Sequence, residues 1–169
     1  NLEEGRIYGL LGENGVGKTT FLTLLCGLKK PQLGEIDCDG YRPYDRLPSF
    51  LSDLYYLSDE VAPMNMKAID YAVSYGKFWT GFEIGRFTEV MSVLEVDPHQ
   101  KMNKMSFGQL KKTYIAFALA CNTKHLFMDE PTNGLDIPSK AQFRKAVTKY
   151  TREDSIILIS THQVRDLEN

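Results

Sequence analysis

The stretch Gly12-Glu13-Asn14-Gly15-Val16-Gly17-Lys18-Thr19 decides the fold, because it matches the pattern G-x-x-x-x-G-K-(S/T) at every constrained position. The apolar run Ile7 to Leu11 precedes it and predicts a strand that is buried on both faces. Apolar residues at helical spacing follow it, namely Phe21, Leu24, Leu25 and Leu28. A strand, a glycine-rich loop and a helix in this order are the context in which such a loop binds phosphate groups.

Each residue type in this loop has a physical task at a phosphate site. Glycines allow backbone N–H groups to turn inward around a phosphate, and the N-terminus of the following helix adds partial positive charge. Lys18 can reach the β and γ phosphates of a nucleotide, and the Thr19 hydroxyl can coordinate Mg²⁺. The alternative, a glycine turn with a solvated lysine, is disfavoured by the predicted strand and helix on either side.

Two later apolar runs, Leu126 to Met128 and Ser155 to Ser160, predict further buried strands. A helical pattern precedes each of them, one with Ser106 as its cap and the other with Pro138 in its first turn. Strands that alternate with helices predict an α/β fold with a mostly parallel sheet. Together with the phosphate loop, this pattern predicts a P-loop NTPase core.

Residues 64–105 are predicted to form a small helical lobe beside this core. Two apolar stripes at helical spacing indicate it: Ile69, Ala72, Val73 and Gly76, then Phe87, Val90, Met91 and Leu94. The chain is predicted to be a single domain over residues 1–169, in which residues 1–63 and 106–169 form a RecA-like catalytic core.

Two adjacent carboxylates, Asp129 and Glu130, follow the run Leu126 to Met128 directly. Ligands of parallel α/β sheets bind at the carboxyl ends of the strands, where Gly12 and His162 are also expected. Transfer of a phosphoryl group to water requires charge neutralisation and a positioned nucleophile, so two acids with different tasks suit such a site. The alternative, a helix-capping Asp with a surface Glu, is disfavoured beside a phosphate loop.

Composition excludes several other classes of protein. The 169 residues are 43% hydrophobic and 25% charged, which is typical of a folded globular domain. The formal net charge is -2 and no basic cluster stands out, so no direct nucleic-acid partner is expected. No apolar run approaches the roughly 20 residues of a membrane helix. The cysteines, Cys26, Cys38 and Cys121, have no metal-ligand spacing and favour a reducing, cytoplasmic setting.

A further motif makes the sequence resemble a known family. Met105-Ser106-Phe107-Gly108-Gln109 resembles the signature loop of ATP-binding cassette (ABC) ATPases. Gly12 to Thr20 resembles the Walker A motif of that family, and Leu126 to Glu130 resembles its Walker B motif with the catalytic glutamate. Gly134-Leu135-Asp136 resembles the D-loop, and His162 resembles the switch histidine. The motifs stand in the order of the family and cover nearly the whole chain.

The resemblance implies a role for each residue of the predicted site. Glu130 is expected to be the general base or to position the attacking water. Asp129 and Thr19 are expected to coordinate Mg²⁺, and His162 is expected to contact the γ phosphate of ATP. A capping or core histidine is the alternative for His162, and its place at a strand end disfavours that alternative.

The resemblance also implies a second ABC domain as a partner. In this family the signature residues, here Ser106, Phe107, Gly108 and Gln109, contact in trans the ATP that the partner's Walker A motif holds. The D-loop residue Asp136 lies at the same interface. We therefore expect a head-to-tail dimer that encloses two ATP molecules and opens after hydrolysis.

The sequence departs from the family pattern at three places. Phe107 stands where the commonest signature has glycine. The expected position of the Q-loop reads Ser58-Asp59-Glu60, without a glutamine. Two hypotheses stay open there: Asp59 or Glu60 contacts the Mg²⁺ or the water, or the segment is a surface loop. The family's adenine-stacking aromatic and its outer strands are missing, so a cassette trimmed at both ends is expected.

The function that the resemblance implies is ATP binding and hydrolysis by the nucleotide-binding subunit of an ABC transporter. Such a subunit lies at the cytoplasmic face of the membrane and powers a separate permease. The expected permease contacts are the Ser58 to Met66 region and any exposed aromatic residue among Tyr55, Tyr56, Phe78 and Trp79. The alternative is a non-transport ABC ATPase, such as a ribosome-associated tandem-cassette factor. A P-loop kinase or GTPase is disfavoured, because it leaves the signature motif and His162 unexplained.

Overall fold

The computed structural model describes residues 1–163 and shows four strands in one parallel sheet. The strands are β1 (Arg6–Leu11), β2 (Leu54–Leu57), β3 (His125–Asp129) and β4 (Ile156–Thr161), in the spatial order β1-β4-β3-β2. The helices are α1 (Lys18–Leu25), α2 (Pro48–Leu51), α3 (Ala68–Gly76), α4 (Ile84–Val93), α5 (Phe107–Ala120) and α6 (Ile137–Tyr150). The predicted α/β fold with a parallel sheet is confirmed.

The two central strands of the sheet, β4 and β3, are the ones that the two later apolar runs predict. Every residue of β3 and β4 is buried, as expected for parallel strands that are covered on both faces. Their register pairs Asp129 with Ser160, so the polar residues at the carboxyl ends of both strands lie side by side. This register places Asp129, and Glu130 after it, at the edge of the sheet where parallel α/β proteins bind ligands.

The prediction that Ile7 to Leu11 is buried on both faces is wrong. These residues do form a strand, but β1 is an edge strand in the described sheet and pairs there with β4. Ile7 is 50% exposed and Leu11 is 48% exposed. A short apolar run predicts a strand well, but it does not predict whether the strand has neighbours on both sides.

The helix predicted after the phosphate loop is present as α1, but most of the apolar residues that indicate it do not form its buried face. Phe21 and Leu28 are exposed, whereas α1 buries Lys18, Leu22 and Leu25. The phosphate loop determines which face of α1 is buried, because the helix begins at Lys18 and the side chain of Lys18 turns inward over the loop. Residues four and seven positions later then share the inward face.

The helical region between β2 and β3 packs as the second apolar stripe predicts. Phe87, Val90, Met91 and Leu94 are fully buried, and they belong to one hydrophobic cluster with residues of α5 and the sheet. The first stripe is partly wrong, because Val73 is 63% exposed while Ala68 and Ala72 are buried. The cluster is continuous between helices and sheet, and the division into a core and a lobe stays a prediction.

None of the helices in the described part of the chain combines the length and the apolar content that a membrane crossing requires.

Candidate functional site

A cavity of about 330 Å³ lies at the carboxyl ends of the strands. It is lined by residues from the phosphate loop, from the loop after β2 and from the end of β3: Asn14, Gly15, Gly17, Lys18, Thr19, Thr20, Asp59, Asp129 and Glu130. The structure therefore brings together residues that are more than a hundred positions apart in the sequence. All nine are residues that the sequence singles out as a site.

The phosphate loop has the backbone conformation that its glycines allow. Gly15 and Gly17 have φ values of +85° and +102°, a backbone conformation that residues other than glycine rarely adopt. Gly17 is also the N-cap of α1, and no side chain caps this helix end. The first N–H groups of α1 consequently lack a side-chain acceptor at the cavity, as an anion-binding helix N-terminus requires.

Lys18 folds back over the phosphate loop. Its Nζ donates hydrogen bonds to the carbonyl oxygens of Gly12 at 2.6 Å and Glu13 at 3.0 Å. It also lies 3.5 Å from Oε1 of Glu130, beyond the distance of a good hydrogen bond. Lys18 is only 8% exposed, so its positive charge acts in a poorly hydrated environment where it attracts phosphate strongly.

Asp129 is held in place by hydroxyl groups. The Thr19 hydroxyl donates to Oδ2 at 2.5 Å, and the Ser160 hydroxyl donates a short hydrogen bond to Oδ1. The Tyr56 hydroxyl donates to Oδ2 at 3.4 Å, and burial first and then the Asp129 charge raise the pKa of this phenol. The pairing of Thr19 with a buried carboxylate is the arrangement from which Mg²⁺ beside a phosphate loop is coordinated.

Glu130 occupies an unusual backbone conformation at the end of β3. Its φ is +46°, in the left-handed region, and its N–H donates to the carbonyl oxygen and to the hydroxyl of Ser160 at 3.1 and 3.0 Å. The side chain is nine-tenths buried, and Oε2 lies 2.9 Å from Nδ1 of His162. Oε1 has no hydrogen-bond partner among residues 1–163. A buried acceptor without a partner, beside a polar cavity, is an observation that fits a bound water or ligand.

His162 contacts the site through one edge of its ring. Besides the contact with Glu130, its Nε2 lies 3.1 Å from the side-chain amide nitrogen of Gln163. A neutral ring with its proton on Nδ1 satisfies both contacts, because Nδ1 then donates to Glu130 and Nε2 accepts from the amide. The imidazole is 31% exposed, which disfavours the alternative of a core histidine.

The signature residues lie outside this cavity, at the start of α5. Ser106 is the N-cap of α5, and its hydroxyl accepts a hydrogen bond from the Gln109 N–H at 3.2 Å. The Gln109 side chain accepts in return from the Ser106 N–H at 3.0 Å, which completes a capping box. Phe107 is 52% exposed. None of these residues is among those that line the phosphate-loop cavity, and their contact in trans stays a prediction.

The D-loop residues lie beside the signature loop. A Cβ atom on Gly134, whose φ is +78°, would lie only 2.6 Å from the Phe107 ring. Asp136 is the N-cap of α6 and accepts a hydrogen bond from the Ser139 N–H at 2.9 Å. Hydrogen bonds from the Ser139 side chain and backbone lower the pKa of Asp136. Asp136 therefore has a local structural task, and its role at a dimer interface stays a prediction.

Asp59 lines the cavity, but its carboxylate already has a cationic partner. Nζ of Lys111 lies 3.0 Å from Oδ1 and donates to the Asp59 carbonyl oxygen at 2.7 Å. Both hypotheses for this segment stay open. The role of Asp59 as a Mg²⁺ or water contact stays a prediction.

Sequence reasoning missed three residues that support the site: Ser160, Tyr56 and Lys111. Ser160 had a usable signal, since it is a polar residue at the end of a buried apolar strand. Tyr56 and Lys111 had none, because their contacts depend on how β2 and α5 pack in three dimensions.

The residues at this edge fit a magnesium ion. No group of three or more His, Cys, Asp or Glu side chains within residues 1–163 could hold a metal by itself. Mg²⁺ does not need such a cage, because in phosphate sites one or two protein oxygens suffice and the substrate and water supply the rest. The Thr19 hydroxyl and the Asp129 carboxylate are suitable oxygens.

The fold and the site together define a P-loop nucleotide-binding domain: a parallel α/β sheet with a phosphate loop and two buried carboxylates, Asp129 and Glu130, at one edge. The family model described as "ABC transporter" matches residues 1–133. This chain belongs to the ABC transporter family.

Relatives with known assignments are similar to almost the whole chain. The bacitracin transport ATP-binding protein BcrA of Bacillus licheniformis is 30% identical over 99% of this chain and 56% of its own length. The ABC transporter ATP-binding protein NatA of Bacillus subtilis is 29% identical over 99% of this chain and 71% of its own length. The chain thus spans little more than half the length of the first relative.

A solved structure confirms the fold at lower sequence identity. It is a dimeric ATP-binding cassette in a post-hydrolysis state, bound to ADP and Pi. Its TM-score is 0.85 with 24% identity, over 98% of this chain and 78% of that chain.

Proposed function

We propose that this chain binds Mg·ATP and hydrolyses it as the nucleotide-binding domain of an ABC transporter. One observation carries the proposal: the phosphate loop, Asp129 and the buried Glu130 line one cavity, and Oε1 of Glu130 has no hydrogen-bond partner among residues 1–163. The transport names of the relatives support the same function.

The phosphate loop and Lys18 bind the polyphosphate in this proposal. The N–H groups at the start of α1 donate to phosphate oxygens. Thr19 and Asp129 hold the Mg²⁺, which neutralises charge on the phosphates when bound. Ser160 keeps the Asp129 carboxylate oriented, and the Tyr56 hydroxyl makes a longer contact with it at 3.4 Å.

Glu130 positions the attacking water and accepts its proton. Its Oε1 has lone pairs available, and its Oε2 is fixed by His162. A base that contributes in this way accelerates a reaction by about 10² to 10⁴-fold. His162 acts as a positioning residue for Glu130 through Nδ1. Its contact with the γ phosphate is made through Nε2, which then carries a proton and donates a hydrogen bond to a phosphate oxygen in place of the Gln163 contact.

A second ABC domain completes each site. The residues at the starts of α5 and α6 include two exposed apolar side chains, Phe107 at 52% and Ile137 at 84% exposure. Exposed apolar side chains beside polar helix N-termini suit a surface that is buried in a dimer. The partner domain then receives Ser106, Gly108 and Gln109 over its own ATP, in a head-to-tail arrangement.

The permease is the further partner, and the domain works at the cytoplasmic face of the membrane. Of the aromatic residues considered for this contact, Phe78 is 62% exposed, while Tyr55 is buried. The Trp79 indole N–H donates to the Leu54 carbonyl oxygen, which ties that ring to β2. Phe78 is thus the best-supported of these residues for a permease contact.

The test compares wild type with Glu130→Gln in the protein purified with its full natural sequence. We expect the variant to bind Mg·ATP, to lose hydrolysis and to elute as an ATP-dependent dimer in size-exclusion chromatography. Hydrolysis at the wild-type rate in the variant, or no binding of ATP by wild type, would contradict the proposal. Stimulation of the ATPase by a co-purifying membrane subunit, and not by ribosomes, separates the transport function from a non-transport ABC ATPase.

A further inference from the structure

Lys111 is the most deeply buried cation in the described part of the chain. It lies on α5 and its exposed fraction is 0%, although lysine is almost never fully buried without a partner. Within residues 1–163 its ion-pair partner is Asp59, with the two charged atoms 3.0 Å apart. The ammonium group also lies 6.0 Å from the centre of the Phe107 ring. No step of the proposed hydrolysis uses this lysine.

Asp59 places its charge at the nucleotide site. It lines the same cavity as Lys18 and Thr19, and its side chain is 39% exposed. The Asn133 amide also approaches Oδ1, at 3.4 Å. The backbone carbonyl of Asp59 accepts from Lys111 as well, so the lysine fixes both the position of this loop and the charge that it carries.

The ion pair of Lys111 with Asp59 affects the charge balance of the cavity. Three carboxylates, those of Asp59, Asp129 and Glu130, line a cavity in which Lys18 is the lining cation. A nucleotide triphosphate adds several negative charges. Asp129 and Glu130 have proposed tasks that need their charge, and an uncompensated Asp59 would add repulsion between this wall of the cavity and the phosphates.

We propose that Lys111 is a buried counter-charge that makes the Asp59 wall of the cavity compatible with the polyphosphate of ATP. The inference rests on the proposed function, because it concerns the same site. It assigns to Lys111 the tuning of nucleotide affinity and of the preference for triphosphate over diphosphate. Lys111 is a positioning residue in this scheme and touches neither substrate nor the reacting water.

The experiment measures dissociation constants for Mg·ATP and Mg·ADP in three variants of the full-length protein. Lys111→Met leaves Asp59 uncompensated, so ATP binding weakens roughly tenfold and ADP binding weakens less. Asp59→Asn leaves the lysine charge in excess, so the preference for ATP over ADP rises. The double variant Lys111→Met with Asp59→Asn restores the wild-type preference, because the wall is neutral again.

The expected changes in the preference for ATP over ADP distinguish a counter-charge from a lysine that only supports the loop. If Lys111 only supports the loop, the double variant stays defective and ATP and ADP lose affinity equally, which would overturn the proposal. If Lys111→Met fails to fold, Asp59→Asn alone still decides, since an unchanged or lowered preference for ATP contradicts the inference. A matched control is the exposed pair Lys149 and Glu89, 3.1 Å apart, whose variants Lys149→Met and Glu89→Gln should leave both constants unchanged.

Failure of the proposed function gives a different result. In that case wild type itself binds no Mg·ATP, or Glu130→Gln retains hydrolysis. The role of Lys111 is tested by how the ratio of ATP to ADP affinity changes among the variants, whereas the proposed function is tested by ATP binding of wild type and hydrolysis by Glu130→Gln.

Discussion

The two ends of β3 both place ionisable side chains inside the protein, but their surroundings differ. At the carboxyl end, Asp129 and Glu130 face a cavity, and Oε1 of Glu130 has no hydrogen-bond partner among residues 1–163. At the amino end, His125 and the preceding Lys124 lie among carboxylates that come from distant parts of the chain.

The charges at the amino end mostly neutralise one another. Nζ of Lys124 lies 2.6 Å from Glu4 and 3.0 Å from Asp39, and these hydrogen-bonded partners raise the pKa of the lysine. Asp53 accepts from the Lys124 N–H at 2.8 Å and from Arg152 at 3.2 Å. These contacts connect the N-terminal segment, the loop before β2 and the loop before β4.

Buried polar groups thus have different surroundings at the two ends of one strand. At the amino end, partners from the chain satisfy Lys124, Asp53 and Arg152, so these contacts contribute to stability, while the His125 ring nitrogens make no hydrogen bond among the described residues. At the carboxyl end, Oε1 of Glu130 lacks a hydrogen-bond partner among residues 1–163 and lies beside a cavity, which suits the proposed role in binding a ligand. Variants at the two ends should accordingly change different measured quantities.

The largest effect is expected for Glu130→Gln. The side chain keeps its size but can no longer accept a proton from water, so kcat should fall by about 10² to 10⁴-fold. The free energy of unfolding should change by less than about 1 kcal/mol, because the amide can still bond to His162. Steady-state ATPase assays and urea titration measure the two quantities. A kcat above a tenth of the wild-type value would show that the carboxyl end does not have the assigned role.

A pair of identical substitutions at the two ends of β4 tests the comparison directly. Ser160→Ala removes a hydroxyl that bonds to Asp129, and Ser155→Ala removes one that donates to the Thr123 carbonyl oxygen at 2.8 Å. Both leave a buried acceptor with one donor fewer, so each should lower the free energy of unfolding by about 1 to 3 kcal/mol. Only Ser160→Ala should also lower kcat. Equal loss of activity in the two variants would refute the division of tasks.

A smaller effect is expected from His125, at the amino end of β3, on the pH dependence of the free energy of unfolding. Burial is the main cause that lowers the pKa of this imidazole, and neither ring nitrogen makes a hydrogen bond among the described residues, although Asp39 lies 3.1 Å from Nε2. The unfolded chain, with a histidine pKa of about 6.5, therefore binds the proton more readily than the folded protein. Stability is full above pH 6.5 and decreases as the pH falls through 6.5 towards the folded pKa.

The measurement is the free energy of unfolding between pH 7.5 and pH 5.5. One proton contributes at most about 1.4 kcal/mol per pH unit to the slope. His125→Phe retains an aromatic ring between Phe50 and Phe127 and should make the slope shallower. The control His99→Gln, at an exposed residue, should leave the slope as it is. An unchanged slope in His125→Phe would exclude the histidine as its cause.

The smallest effect is expected for the ion pair of Arg152. Arg152→Met removes contacts with Asp53 and Asp154 that are partly exposed, so the free energy of unfolding should fall by less than about 1 kcal/mol. High salt should reduce the difference from wild type, and kcat should not change. Arg42→Met, which breaks an exposed pair with Glu35 at 3.6 Å, is the control and should have no measurable effect.

The sequence predicts the parts of the fold and the site that are local in the chain. β3 and β4 follow from continuous apolar runs, and the phosphate loop follows from one motif between a strand and a helix. The two acids after β3 are adjacent in the sequence, so the strand end delivers both of them to one edge. These are properties of short segments, which patterns can capture.

The parts that were predicted wrongly or missed depend on tertiary neighbours. The exposure of β1 depends on its edge position in the sheet, and the inward face of α1 depends on how Lys18 turns over the loop. The bond between Ser160 and Asp129 exists because of the register between β3 and β4. The pairing of Lys111 with Asp59 joins residues 52 positions apart, and nothing in either segment indicates the other.

The capping box at Ser106 has a consequence for how the dimer contact can be tested. The cap uses one lone pair of the hydroxyl oxygen and leaves its proton free, so Ser106 can hold its own helix and donate to a phosphate at once. Aspartate caps helices about as well as serine but has no proton to give and carries a negative charge. Ser106→Asp therefore separates two properties that Ser106→Ala removes together: the helix keeps its cap, while the added negative charge should weaken the proposed contact with a nucleotide on a partner domain.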